Sequence, residues 1–228
     1  MISIIIPTLN EKKNIIPILN KLKKLKFVYE IIFIDDNSSD GTYEEIKKYT
    51  FKKKIRAYQR KKKRDLNKSV IYGVTKAKKE NILIMDCDLQ HDANYIKEMW
   101  KIFKLKKLDL VIASRFEKKS YYGNLGFLRS LISKIAINII NIIFGKKTSD
   151  PLSGFFLCKK YLISKYKKRF FGKGYKILFD ILYNGKKNLQ IFDQEIIFKK
   201  RKYENSKFNF RIILLFFMQI IYTLLLVK

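Results

Sequence analysis

Disulfide frameworks and thiolate metal sites are out of reach for this chain, whose two cysteines, Cys87 and Cys158, have no metal-site spacing. Such sparse cysteine points to a reducing compartment. There is one histidine, His91, and no evident acid–base dyad. Prolines (three) and glycines (nine) are few, and no repeats or long linkers interrupt the chain. Acidic residues are also scarce: 20 against 50 Lys+Arg, a net charge of +30. That imbalance implies an anionic partner, whether nucleic acid, a phosphate-bearing substrate or an anionic membrane face. Much of the excess is Lys accompanied by Ile and Asn, a compositional bias that weakens charge as a specific signal. A nucleic-acid partner is not expected, because there is no recognition motif, concentrated basic helix or basic–aromatic platform. Ile2–Ile6 lacks the basic flank and cleavage site of a signal peptide and reads as a strand. With 228 residues and 47% hydrophobic content, one large α/β domain, alone or with an appendage, fits, and disorder does not.

Taken in order, Ile2–Ile6 reads as a buried strand ended by Pro7. The polar loop Thr8–Glu11 and a helix over Asn14–Leu25 follow. Tyr29–Ile34 is a second strand running into D-D-N-S-S-D-G-T (Asp35–Thr42), then a helix to Tyr49 and a strand at Ile55–Tyr58. Arg60–Arg64 is a basic run that reads as a solvated face, with a lipid-phosphate contact as the alternative. A helix over Asn67–Lys78 leads to Ile82–Met85, an apolar strand. This alternation predicts a doubly wound, mostly parallel sheet with helices on both faces. Further on come a helix at Ala93–Leu105, a strand at Asp109–Ala113 and a long amphipathic helix at Phe127–Phe144, which packs on the sheet or lies in a membrane interface. A turn at Asp150–Phe155, a mixed helical region and a late edge strand within Leu189–Phe198 complete the body. Asp150 and Ser153 either fix that turn or line a sugar pocket. Ile212–Val227 carries only Gln219, Tyr222 and Thr223 among apolar residues. As a helix of ~24 Å it is short against the ~20 residues of a spanning helix. Spanning, interfacial and buried readings all stay open.

Chemistry concentrates where Asp86 and Asp88 leave the Ile82–Met85 strand, with Gln90 and His91 just beyond. In open parallel sheets, ligands gather outside the carboxyl ends of the strands. Carboxylates this close raise each other's pKa unless positive charge intervenes. A divalent cation supplies it, and oxygen donors favour Mg²⁺ or Mn²⁺. The other reading is a solvated acidic loop. His91 reads as a local hydrogen-bonding or supporting group ahead of a metal ligand.

Six motifs stand in series: P-T-L-N-E (Pro7–Glu11), the acidic loop Asp35–Thr42, D-C-D-L-Q-H (Asp86–His91), S-R-F (Ser114–Phe116), D-P-L-S-G-F (Asp150–Phe155) and R-K-Y-E-N-S-K (Arg201–Lys207). On these the chain resembles the polyprenol-phosphate (dolichol-phosphate) mannosyltransferases of glycosyltransferase family 2, from Ile2 to about Lys207. The resemblance implies a GT-A (Rossmann-like) catalytic domain over residues 1–207 and a C-terminal apolar helix, membrane-associated, over 208–228.

By the same resemblance, Pro7, Leu9 and Glu11 grip the nucleotide, although the family usually has Tyr at Leu9, and Ile34 and Asp36 hold base and ribose. Asp86, Asp88 and Gln90 bind the metal and bridge it to the diphosphate, and Cys87 fills the small position between. Arg115 belongs to the active site, with Arg129 and Ser133 beside the acceptor phosphate. Arg201 and Lys207 are the basic ends of an R-x-Y-G-E-S-K element in which Glu204 and Asn205 replace Gly and Glu. Catalysis is thereby expected from Asp88, Arg115, Arg129 and Ser133. The implied activity is inverting, metal-dependent transfer of a hexose, mannose first, from GDP-mannose or UDP-glucose to a polyprenyl phosphate. The alternative is a related enzyme using another UDP-sugar or a non-lipid acceptor. Membrane association with the active site facing the cytoplasm is expected, either peripherally or through a membrane partner subunit.

Overall fold

The computed structural model describes residues 1–52, 54–115, 127–199 and 210–227, side chains of 127–130, 210 and 227 excepted. The first half alternates as the sequence predicts: β1 (Ile2–Thr8), α1 (Lys12–Leu22), β2 (Val28–Asp35), α2 (Thr42–Lys47), β3 (Ile55–Gln59), α3 (Leu66–Lys76) and β4 (Asn81–Ile84). Then come α4 (Asn94–Leu105), β5 (Leu110–Ser114), α5 (Phe127–Phe144), β6 (Phe156–Lys159), α6 (Tyr161–Ser164), α7 (Ile177–Tyr183), β7 (Ile191–Glu195) and α8 (Phe210–Val227).

One sheet of seven strands has the order β3-β2-β1-β4-β6-β5-β7. β1, β2, β3 and β4 pair in parallel, whereas β6 runs antiparallel to both β4 and β5. The sequence reads helical after Phe155; the structure instead inserts F-L-C-K as a buried interior strand, too short to show a period. The expected late edge strand is β7, parallel to β5 at the sheet's margin.

Every residue of β1 is buried, because helices cover both faces. Ile4 and Ile6 join one core with Leu19 of α1 and Trp100 of α4, while Ile5 points to the other with Val70 of α3 and Leu178 of α7. β4 divides likewise, Leu83 to one side and Ile82 and Ile84 to the other. Each such aliphatic side chain contributes roughly 1.5–3 kcal/mol by leaving water, so the sheet centre is the most firmly held part of the frame. The order in which strands are added reverses between β1 and β4, whose successors lie on opposite sides. That is where parallel sheets open a crevice at their carboxyl ends.

A third, smaller apolar cluster joins Ile137 and Ile140 of α5, Leu152, Phe179 of α7 and Ile220 of α8. α8 is anchored by polar groups inside an apolar helix. Gln219 donates from Nε2 to the Lys176 carbonyl at 3.1 Å, and Asn184 donates from Nδ2 to Thr223 Oγ1 at 2.9 Å. Its opposite face exposes Leu214, Phe217, Ile221 and Leu225, and α5 exposes Leu131, Ile135 and Ile142. Among the described residues no helix is long and apolar enough to cross a membrane.

α3 crosses the sheet closely at Gly73, where an added Cβ would lie 2.5 Å from Ile5 Cγ2 and 3.1 Å from Ile34 Cγ1. Gly73→Ala is therefore expected to destabilise by ~1–3 kcal/mol through overpacking. The check is a lowered urea midpoint at unchanged m-value; equal or greater stability contradicts this packing.

Candidate functional site

The carboxyl ends of β1, β2 and β4 open onto one cleft of about 190 Å³. At the β1 end lie Pro7, Leu9 and Glu11. Glu11 is held by the Thr42 hydroxyl, which accepts its backbone N–H at 2.8 Å, and by Asn14, which donates to its carboxylate at 2.6 Å. The acidic loop after β2 spends most of its carboxylates on itself. Asp35 accepts from Ser38, and Asp40 accepts from Lys12 N and Thr42. Asp36 alone of these aspartates faces the cleft. Ile34 does not: its side chain is fully buried in the core against Gly73, and its carbonyl accepts from the Thr8 hydroxyl at 3.4 Å.

Lys61–Arg64 form the exposed face expected from sequence, and Arg60 departs from it. Arg60 is buried and paired with Asp36, and its Nη1 also donates to Ser69 Oγ at 3.1 Å. Arg64 lines the cleft and donates to the Asn37 carbonyl at 2.8 Å. Burial pushes the Asp36 carboxyl above its ordinary value, against the downward pull of the Asp65 N–H and of Arg60. Asp65, at the N-cap of α3, accepts from Lys68 N at 3.0 Å and from Gly174 N at 2.8 Å. It thereby ties the Gly172–Lys176 segment to this wall. A carboxylate one residue before an apolar helical run is a capping signal. The partner at Gly174 has no local signature.

At the β4 end, Asp86, Cys87, Asp88, Gln90 and His91 all line the cleft. Leu89 takes a left-handed backbone, φ 62°, which costs of order 1–3 kcal/mol for a bulky residue. The turn lets Asp88 Oδ1 accept Gln90 N at 3.1 Å. Gln90 is doubly engaged with the chain after β7: its Nε2 donates to the Lys199 carbonyl, and Lys199 N donates to its carbonyl, both at 3.0 Å. His91 stacks on Phe155, ring centroids 4.9 Å apart, and meets Phe198 edge-on, as a packing group would.

Arg115 forms a two-pronged pair with fully buried Asp150, Nε to Oδ2 at 2.7 Å and Nη2 to Oδ1 at 2.9 Å. Burial works against the Arg115 charge, but Asp150 and then Asp86 hold its pKa above the usual guanidinium value. Asp150 thus orients Arg115, and Ser153 fixes the turn by donating to the Ala113 carbonyl at 2.8 Å. The same turn brings Gly154 so close to Asp86 that an added Cβ would lie 2.7 Å from Oδ2. Ser133 sits half-buried on α5 and is not among the described residues that line the cleft. The Arg129 side chain, Arg201 and Lys207 lie outside the described residues. Leu152, Tyr175, Lys176, Phe198 and Ile212 also line the cleft, unannounced by any motif except Leu152.

Charge in the cleft runs against that of the chain. Glu11, Asp36, Asp65, Asp86 and Asp88 line it, against the cations Arg64, Arg115 and Lys176. In a protein of net charge +30 such a balance fits a divalent cation between Asp86 and Asp88. Among the described residues no three His, Cys, Asp or Glu side chains converge on one point. The protein would then supply only part of the coordination, as is usual for Mg²⁺ completed by phosphate oxygens and water.

Residues 3–167 match the family model for glycosyl transferase family 2. A dolichol-phosphate mannosyltransferase of Pyrococcus furiosus is 34% identical over 81% of this chain, which spans 53% of that protein's length. A Saccharomyces cerevisiae protein of the same name is 30% identical over 79% of this chain and 69% of its own. Among solved structures, glucosyl-3-phosphoglycerate synthase from Mycobacterium tuberculosis, in complex with Mn²⁺, UDP and glucosyl-3-phosphoglycerate, superposes with a TM-score of 0.73. It is 17% identical, and the match covers 99% of this chain and 78% of that one. At that identity it establishes the fold.

Gly154→Ala is expected to separate position from stability. The clash falls on a side-chain tip that can move, so thermal midpoint should change by no more than a few degrees, a loss of about 1 kcal/mol at most. Asp86 would be displaced, and nucleotide binding in Mn²⁺ should weaken by ~10-fold or more. Unchanged binding would contradict this role for the contact.

Proposed function

Given that the chain belongs to the family 2 glycosyltransferases, we propose that it transfers a hexose, mannose first, from a nucleotide-diphosphate sugar to a polyprenyl phosphate. The observation that carries this reading is the convergence of Asp36, Asp86, Asp88 and Arg115 on one cleft at the sheet's switch point. The names of the Pyrococcus and yeast relatives favour a lipid phosphate and mannose.

Pro7, Leu9, Glu11 and Asp36 would receive the nucleoside. Asp86 and Asp88, with Gln90 braced behind them, would hold Mg²⁺ or Mn²⁺. When bound, the metal offsets the charge that gathers on the departing diphosphate. Arg115, aimed by Asp150, adds a charged donor on the same side. The bond from sugar C1 to the β-phosphate oxygen breaks, and its electron pair leaves with the nucleoside diphosphate. An acceptor phosphate oxygen supplies the pair for the new C1–O bond from the opposite face, inverting the centre. A phosphate monoester has its second pKa near ~6, so no proton need be removed and no general base is required. The chain's part is to bring two anions together and hold them.

Apolar residues exposed on α5 and α8 fit a bilayer interface, where a polyprenyl phosphate resides, and the excess of Lys suits an anionic surface. Peripheral docking is favoured over spanning by the polar anchoring of α8 through Gln219 and Thr223. Cys87 and Cys158 are free and buried in this fold.

Labelled GDP-mannose and UDP-glucose, incubated with polyprenyl phosphate and Mn²⁺, decide the donor and the acceptor. Label should enter the organic phase from one donor and vanish with a chelator. Asp88→Asn should lower that transfer by ~100-fold or more at saturating metal. Near wild-type turnover in that variant, or transfer that survives the chelator, would overturn the metal-assisted reading.

A further inference from the structure

We propose that Lys176 is the cation that receives the acceptor's phosphate, an assignment that rests on the transfer reaction above. Lys176 lies just before α7 and lines the cleft. No sequence motif points to it. Its ammonium donates to the Leu152 carbonyl at 3.2 Å, on the turn whose Gly154 abuts the Asp86 carboxylate. The charge is therefore held on the wall that carries the reacting end of the cleft.

The other described cations of the cleft stand elsewhere along it. Arg64 bonds the Asn37 carbonyl beside Asp36 at the nucleoside end, and Arg115 is clamped by Asp150 with Asp86 as its next electrostatic neighbour. Lys176 stands on the remaining side, where the cleft meets the apolar helices. The Leu152 side chain packs with Ile140 of α5 and Ile220 of α8. The Lys176 carbonyl accepts from Gln219 of α8, and Ile212 of α8 itself lines the cleft. An amphiphile whose chain lies along α5 and α8 would deliver its headgroup here. A compact ammonium on a long stem suits a phosphate arriving from variable directions, as a point charge rather than a planar fork.

The test compares wild type, Lys176→Ala and Lys176→Arg in the full chain, with polyprenyl phosphate in detergent micelles and whichever labelled nucleotide sugar wild type uses. Lys176→Ala should raise the acceptor KM by ~10–100-fold, the range for losing one charge-assisted hydrogen bond, with the donor KM changed less than about twofold. Lys176→Arg should recover most of the loss, which a purely structural role would not produce. Lys176→Met, which keeps the stem, carries the same expectation if the alanine variant does not fold. An unchanged acceptor KM, or a rise confined to the donor KM, overturns the assignment while leaving the proposed reaction standing. A wild-type chain that labels no lipid phosphate overturns both.

Discussion

Two aspartates one residue apart, at the end of a strand that cannot move, are the constraint on which the site depends. β4 is packed on both faces, so Asp86 and Asp88 leave the sheet from a fixed point. A shift of the strand is not open to them. The surroundings hold them in place instead: Gly154 leaves room for one carboxylate, a left-handed Leu89 turns the chain so that Gln90 N reaches the other, and Arg115 stands near. A cation lying between them would offset their like charges and make a preorganised receptor for diphosphate.

The cleft is assembled from the two halves of the fold. The parallel half supplies Pro7, Glu11, Asp36 and the aspartate pair from successive strand ends. The second half supplies Arg115 from β5, its partner Asp150, and the wall formed by Gly174, Tyr175 and Lys176. Asp65 and Asn67 stitch that wall back to α3, Asn67 through its side-chain amide to the Lys173 carbonyl at 3.0 Å. Antiparallel β6 makes the junction: it follows the Gly154 turn directly and places it between β4 and β5. In the proposed reaction the donor would lie over the strand ends and the acceptor would arrive past α5 and α8.

The first half of the fold was legible because its central strands are near-continuous apolar runs and α1 and α3 carry apolar stripes. Ile2–Ile6 and Ile82–Met85 can hardly be anything but buried strands. Asp86 and Asp88 stood out as cleft candidates because two carboxylates directly after such a run repel each other unless positive charge lies between them. What escaped depends on tertiary partners. Arg60 looks like one more surface lysine or arginine until Asp36 lies against it. F-L-C-K is too short to show a period, and only its neighbours β4 and β5 make it a strand. Ile34 lies two residues before Asp36, still within β2, and its side chain packs under α3 against Gly73. Lys176 is one lysine among many in a lysine-rich chain, and its place is fixed by a carbonyl 24 residues away in sequence.

The central claim is that nucleotide and divalent cation occupy the cleft together, each completing the other's site. Calorimetric titration of GDP and of UDP into the protein, with Mn²⁺ and then with excess chelator, tests it most directly. The account predicts that at least one of the two binds in Mn²⁺ and that chelation weakens that binding severely. Binding of equal strength with and without the metal would contradict it.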